Sequence, residues 1–258
     1  MHGGGREIDA ALTAAGIEKR QVEGLRITDA PTLDVVVSVL AGAVNTRLVA
    51  ALTTGGVAAV GLTGADGACG LSEPAPPHRT VDGRLVELGH VGVPADAADT
   101  RLLRTLLGDG FVPVIACIGV GRDGRLFNVN ADTFAAHLAV RLGARRLVMA
   151  GTTPGVLGKD GATVPLLDPA AIAQLLADGT ATAGMIAKLR ACREALSSGV
   201  EDVVIVDGRD GAALAATSGT GVPAGATRPS WKTKSAVCRR VAARTVSKSG
   251  SPGPAPTR

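Results

Sequence analysis

Residues 3 to 5 are three consecutive glycines, preceded by His2 and followed from Arg6 by a helical pattern. Gly3, Gly4 and Gly5 carry no Cβ, so backbone N–H groups at the start of the helix can close on an anion such as phosphate. A plain turn is the competing reading of such a run. Further on, Gly24-Leu25-Arg26-Ile27-Thr28-Asp29 sets Arg26 after a glycine turn and ahead of a long apolar helix. A guanidinium placed there can grip a carboxylate with two parallel donors, or it can lie on the surface. Asn128-Val129-Asn130-Ala131-Asp132 leads into another helix and, taken alone, reads as a capping turn. In Gly184-Met185-Ile186-Ala187-Lys188 a lysine opens a helix, where the dipole opposes its charge. A lysine badly placed for stability is a candidate phosphate ligand.

The elements that must hold these residues alternate in type. Helical spacing covers Ile8 to Ala15, Thr32 to Thr53, Thr100 to Leu107, Ala131 to Leu142, Pro169 to Leu176 and Met185 to Ser197. Compact apolar strands are expected at Val57 to Leu62, Val112 to Ile118, Arg146 to Ala150 and Val203 to Val206, with a hairpin over Val81 to Val91 turning at Asp82-Gly83. Short apolar strands between helices imply an α/β domain with a mainly parallel sheet covered on both faces. Apolar runs such as Leu33 to Leu40 are too short to cross a bilayer, so no membrane is expected.

Composition narrows the function classes. Of 27 basic residues, eight lie beyond Asp210, a stretch without Asp or Glu; the other 19 face 23 acidic residues, a net charge of −4. The pI of 9.1 is therefore a property of the tail rather than of a basic body. Aromatic residues make up 2% of the chain and there is no Tyr, which argues against base stacking and a nucleic-acid partner. Cys69, Cys117, Cys192 and Cys238 show no CxxC spacing and read as reduced thiols of a cytoplasmic protein. Residues 209–258, rich in Gly, Ser, Thr, Ala and Pro, read as a disordered basic tail with a weak helical candidate at Lys234 to Thr245.

In order and spacing these clusters resemble the acetylglutamate kinases of the amino-acid kinase superfamily. The likeness runs from residue 2 to about 208 and includes Gly61-Leu62-Thr63-Gly64-Ala65-Asp66-Gly67, Leu88-Gly89-His90-Val91-Gly92 and Val206-Asp207-Gly208. The resemblance implies a three-layer sandwich around a mainly parallel eight-stranded sheet. Residues 1 to about 145 would form the amino-acid half and about 146 to 208 the nucleotide half. It implies transfer of the ATP γ-phosphoryl group to the side-chain carboxylate of N-acetyl-L-glutamate, the second step of arginine biosynthesis. Asp132 and Lys188 would be catalytic, and Gly4 and Gly5 would touch the moving phosphate. Arg26 and Asn128 would hold the substrate α-carboxylate, while Thr152, Gly155, Gly184 and Met185 would face the nucleotide. Residues 81 to 91 would form a lid, and Thr32 to Thr53 the contact of a homodimer. Magnesium would ride on ATP, since no carboxylate cluster suggests a dedicated metal site. Phosphoryl transfer needs alignment and cations more than covalent help, so His78, His90 and His137 are read as structural or exposed.

Three departures accompany the likeness. The family's first strand, with its Lys-x-Gly-Gly motif, has no counterpart ahead of Met1, so the natural protein is expected to be longer. The turn Ala150-Gly151-Thr152-Thr153-Pro154-Gly155 lacks the family's acid, and Ser218-Gly219-Thr220-Gly221 is followed by an unusual composition. Alternatives are a kinase for a carrier-bound aminoadipate or glutamate in lysine biosynthesis, a non-catalytic ligand-binding homologue, and a nucleic-acid binder acting through the tail.

Overall fold

The computed structural model describes residues 1–80, 82–153, 155–158, 161–164, 166–177, 183–217 and, by their backbone, 235–239. Val81, Pro154, residues 218–234 and residues 240–258 fall outside these.

Helices are α1 (Gly5–Ala14), α2 (Ala30–Val37), α3 (Asn45–Thr54), α4 (Arg101–Gly108), α5 (Ala131–Leu142), α6 (Pro169–Ala177), α7 (Ala183–Ser197) and α8 (Gly211–Thr217). Strands are β1 (Gln21–Val22), β2 (Leu25–Arg26), β3 (Ala59–Thr63), β4 (Ser72–Pro74), β5 (His78–Arg79), β6 (Leu85–Val86), β7 (Val91–Pro94), β8 (Val112–Ala116), β9 (Ile118–Val120), β10 (Leu126–Val129), β11 (Arg146–Gly151), β12 (Leu166–Leu167), β13 (Asp202–Asp207) and β14 (Ser235–Arg239).

The expected α/β layering is present. The long central pairings β3–β8 and β11–β13 are parallel, as buried strands between helices should be. Hydrogen bonding divides the strands into the orders β4-β7-β10-β9, β11-β13-β14-β12 and β3-β8, plus two hairpins, rather than one unbroken eight-stranded sheet. Two apolar clusters sit beneath them. One gathers Ile8, Leu12, Leu40, Ile115, Phe134 and Leu138; the other gathers Ala136, Ala139, Met149, Ile172, Leu196 and Ile205. Helix α5 contributes to both. Its start is held by Asn130, whose side chain accepts from the Asp132 and Thr133 amides, and Gly143 ends it at φ 70°. This spine between the clusters carries Asp132 in its first turn.

Four expectations are corrected. The apolar helix at 32–53 is slightly longer and changes its winding midway: α2 passes without a break through a π-helical segment, Ser38–Val44, into α3. An 18-residue stretch of the continuous helix Ala30–Thr54 has a mean hydropathy of 1.9; by length and composition alone the helix could cross a membrane, a test that core helices of soluble proteins also pass. The hairpin lies between β5 and β6, around a turn with Gly83 at φ 86°, while β7 is a separate strand. Gly89, at φ 69°, breaks the extended run and bridges to Thr28. In the tail, Ser235–Arg239 is a strand where a helix was expected; it pairs antiparallel with β13 and parallel with β12. Its local composition carries no strand signal because its partners lie far away in sequence. Helix α8 likewise occupies part of the region expected to be disordered.

Candidate active site

Three backbone segments, carrying Thr28, Gly89 and Asn128, run side by side. The Thr28 amide donates to the Leu88 carbonyl at 2.9 Å, and the Asn128 amide donates to the His90 carbonyl at 2.9 Å. Gly89 lies between them, and a Cβ there would stand 2.3 Å from the Thr28 carbonyl oxygen. No larger residue fits such a backbone approach. Asn128 reaches across to donate its Nδ2 to Thr28 Oγ1 at 3.1 Å.

Arg26 follows the tight turn at Glu23 and Gly24, both at positive φ. Its side chain is 9% exposed. One terminal nitrogen, Nη2, donates to Asp9 of α1, while Nη1 is buried with no partner. An unpaired guanidinium nitrogen away from water is costly unless something supplies an acceptor. A carboxylate on a bound ligand would supply one. The Asp9 carboxyl is held below its ordinary value: burial raises it, but hydrogen bonds from Lys19 and Arg26 outweigh that. Asp9 was not among the residues singled out, because a helix residue 17 positions before its partner leaves no local signal.

A second corner forms where the glycine loop meets α5. A Cβ on Gly3 would touch Ala131 Cβ at 3.4 Å, and one on Gly4 would meet Leu40 Cδ2 at 2.8 Å. The π-helical turn thus closes on the loop, and a side chain at position 4 would have to push Leu40 aside. Gly4 caps α1 without a side-chain bond, leaving the first amides of α1 open to an anion. Gly5 has open space around its Cα. Across from the loop, Lys188 Nζ donates to Asp132 Oδ1 at 2.6 Å, with side chains 18% and 21% exposed. Lys188 and Asp132, 56 residues apart, are thus joined. Helix α7 begins at Ala183, so Lys188 occupies its second turn rather than opening it. The dipole argument for it is correspondingly weak; its partner is what singles it out.

The nucleotide-side candidates are less uniform. Gly151 ends β11, and a Cβ on it would lie 3.4 Å from Lys188 Cε. The carbonyl of Thr152 accepts from Arg209 Nη2 at 2.8 Å, and Arg209 also pairs with Asp207 at 2.7 Å. Arg209 thus ties Asp207 to the turn that follows β11. Gly155 is buried, with its carbonyl accepting from Thr153 Oγ1 at 3.3 Å. Gly184 faces open space in the first turn of α7. Met185 instead packs against the apolar cluster around Leu196 and Ile205, so its side chain is part of the core.

The remaining titratable groups fit structural roles. Burial pushes the Cys117 thiol up to about 12, close to Asp132, and Cys69 up to about 11. Neither is a nucleophile at neutral pH. His78 pairs with Glu23 at 2.9 Å. His137 is buried and its Nε2 has no partner; burial, aided by Arg141 and opposed by Asp96, holds its imidazole below the ordinary 6.5. The unfolded chain therefore takes up the proton first. The resulting stabilisation is complete above pH 6.5 and is lost as pH falls from there through the folded value. Denaturation midpoints followed from pH 8 to pH 5 should consequently fall less steeply in His137→Gln than in the parent. Among the described residues no group of three or more His, Cys, Asp or Glu side chains gathers to hold a metal.

Known proteins show the same arrangement of sequence and fold. The amino acid kinase family matches residues 1–207. An acetylglutamate kinase of Novosphingobium aromaticivorans is 44% identical over 218 residues, spanning 81% of this chain and 72% of that protein. One of Granulibacter bethesdensis is 42% identical over 215 residues, spanning 81% and 71%. In structure, the chain is similar to N-acetylglutamate synthase from Neisseria gonorrhoeae complexed with coenzyme A and N-acetyl-glutamate. That likeness has a TM-score of 0.69 at 28% identity and covers 83% of this chain and 47% of that one.

Proposed function

The chain belongs to the amino acid kinase family, and from that premise we propose that it is an acetylglutamate kinase. It transfers the γ-phosphoryl group of ATP to the side-chain carboxylate of N-acetyl-L-glutamate, forming an acyl phosphate in arginine biosynthesis. The observation that carries this reading is the Lys188–Asp132 pair at the start of α5, four residues beyond Asn128.

Each residue has a definable task. Arg26, through its unpaired Nη1, and Asn128 hold the α-carboxylate of the substrate. The amides at Gly4 and Gly5, with Gly3 allowing the loop its close approach to α5, receive the phosphoryl group in transit. Lys188 places a positive charge against its equatorial oxygens, and Asp132 fixes the direction of that lysine. Thr152, Gly155 and Gly184 provide backbone around the nucleotide. The main-chain side of Met185 belongs to that set, while its side chain serves the core. Magnesium arriving with ATP supplies further charge neutralisation. Since little covalent assistance is needed, positioning and electrostatics carry most of the acceleration.

The two apolar clusters support dividing the domain into an amino-acid half, 1 to about 145, and a nucleotide half from about 146 to 208. The helix Ala30–Thr54 supports a homodimer. Only 17% of its apolar window is buried within the chain, and an open groove of about 550 Å³ runs along Ala41, Val49, Ala50 and Thr53. A second copy would cover that surface. A cytoplasmic location fits the substrates.

Competition between N-acetyl-L-glutamate and an N-acylated aminoadipate tests the substrate assignment. The expected outcome is a kcat/KM at least about tenfold higher for the glutamate compound, since one extra methylene displaces the carboxylate from in-line geometry by more than an ångström. Equal or reversed preference would favour the lysine-pathway kinase.

A further inference from the structure

Thr28 lies in the corner between Arg26 and Asn128 and is fully buried, with 0% of its surface exposed. A buried hydroxyl needs partners, and this one has two: the Arg26 carbonyl at 3.2 Å and the Asn128 side chain at 3.1 Å. The chemistry of the pair orders them. A carbonyl oxygen can only accept, so the single hydroxyl proton goes to Arg26. The hydroxyl oxygen is then left as an acceptor. Asn128 must meet it with Nδ2, because its Oδ1 would face an oxygen without a proton to give.

We infer that Thr28 is a positioning residue for substrate binding: it locks the Asn128 carboxamide in one orientation and ties it to the backbone that carries Arg26. This rests on the carboxylate-binding roles assigned above to Arg26 and Asn128. One N–H of Asn128 is spent on Thr28, which leaves its other N–H and Oδ1 with fixed directions for a ligand. The backbone sets the same relation a second time. Thr28 donates its amide to Leu88 and accepts from the His90 amide at 2.6 Å, and the His90 carbonyl accepts from Asn128. Hydroxyl and main chain thus join the two gripping residues through one residue that need not touch the substrate. Prepaid orientation of this kind lowers the cost of binding without entering the chemical step.

Three substitutions separate this role from simple packing. Thr28→Val keeps the shape and removes the hydroxyl. Thr28→Ser keeps the hydroxyl and removes the methyl. Thr28→Ala, with neither group, covers the case in which valine does not fold. Steady-state kinetics with ATP and N-acetyl-L-glutamate give the readout. Thr28→Val, or Thr28→Ala in its place, is expected to raise the KM for N-acetyl-L-glutamate roughly 5- to 100-fold, the span for leaving buried polar partners unmet. The KM for ATP should stay within about twofold, and Thr28→Ser should restore the substrate KM to within about threefold of the parent. A substrate KM within threefold in Thr28→Val, or an equal rise in Thr28→Ser, would overturn the inference. Arg26→Ala is measured alongside. If it raises the substrate KM while Thr28→Val does not, the site stands and the role of Thr28 falls. If Arg26→Ala also leaves KM unchanged, the assignment of the carboxylate site itself is wrong.

Discussion

Lys188→Met lowers kcat by about 100- to 1,000-fold, the loss expected when one preorganised donor to a transition-state charge is removed. Methionine matches the length of the lysine stem and keeps its packing over Gly151, so the change is close to deletion of the ammonium alone. Because the lysine acts on charge developing at the phosphoryl oxygens, the KM for N-acetyl-L-glutamate should move no more than about twofold. Asp132 loses its partner in the variant. Asp132→Asn, which keeps the shape and removes the carboxylate charge, should lower kcat in the same direction, and the double variant should cost little more than Lys188→Met alone. Additive losses, measured by initial rates at saturating substrate, would show that the two residues work independently.

Arg26→Ala has its effect on the other substrate. A hydrogen bond to a charged group contributes about 1.5–3 kcal/mol, so the KM for N-acetyl-L-glutamate should rise roughly 10- to 150-fold. Arg26→Lys should recover little of this. An ammonium keeps the charge but cannot donate to Asp9 and to a carboxylate in the planar fork the site uses. The KM for ATP should be nearly unchanged, and calorimetric titration with N-acetyl-L-glutamate should show the same loss in binding. An Arg26→Ala protein with parental substrate affinity would place the α-carboxylate elsewhere.

The parts of this site that could be read from the chain are those with local signals. Asn130 before an apolar periodic run marks the start of α5, and the helix occupies Ala131–Leu142, the span its spacing indicates. Three successive glycines ahead of α1 mark the loop. Strands β11 and β13 stand out because both are short, apolar and flanked by turns. What escaped depends on contacts distant in sequence. Strand β14 is a strand through its pairing with β13 and β12, not through its own composition. The π-helical turn at Ser38–Val44 lies inside an otherwise ordinary apolar period and becomes meaningful only when Leu40 meets Gly4. Asp9 and Arg209 act on partners that folding brings to them. Thr28 had a legible clue: in an extended segment, Arg26 and Thr28 lie two apart and face the same side. The clue is weak alone, and it gains force once Asn128, 100 residues later, is seen to bond to Thr28.

Arg26, Asn128, Asp132 and Lys188 together are proposed to direct transfer of a phosphoryl group from ATP to a carboxylate. Trapping the product with hydroxylamine tests it most directly, because an acyl phosphate gives a hydroxamate and a phosphate ester does not. With ATP, magnesium and N-acetyl-L-glutamate, hydroxamate and ADP should form in equal amounts, with both lost in Lys188→Met. ADP release without hydroxamate, or hydroxamate formation that Lys188→Met leaves intact, would contradict it.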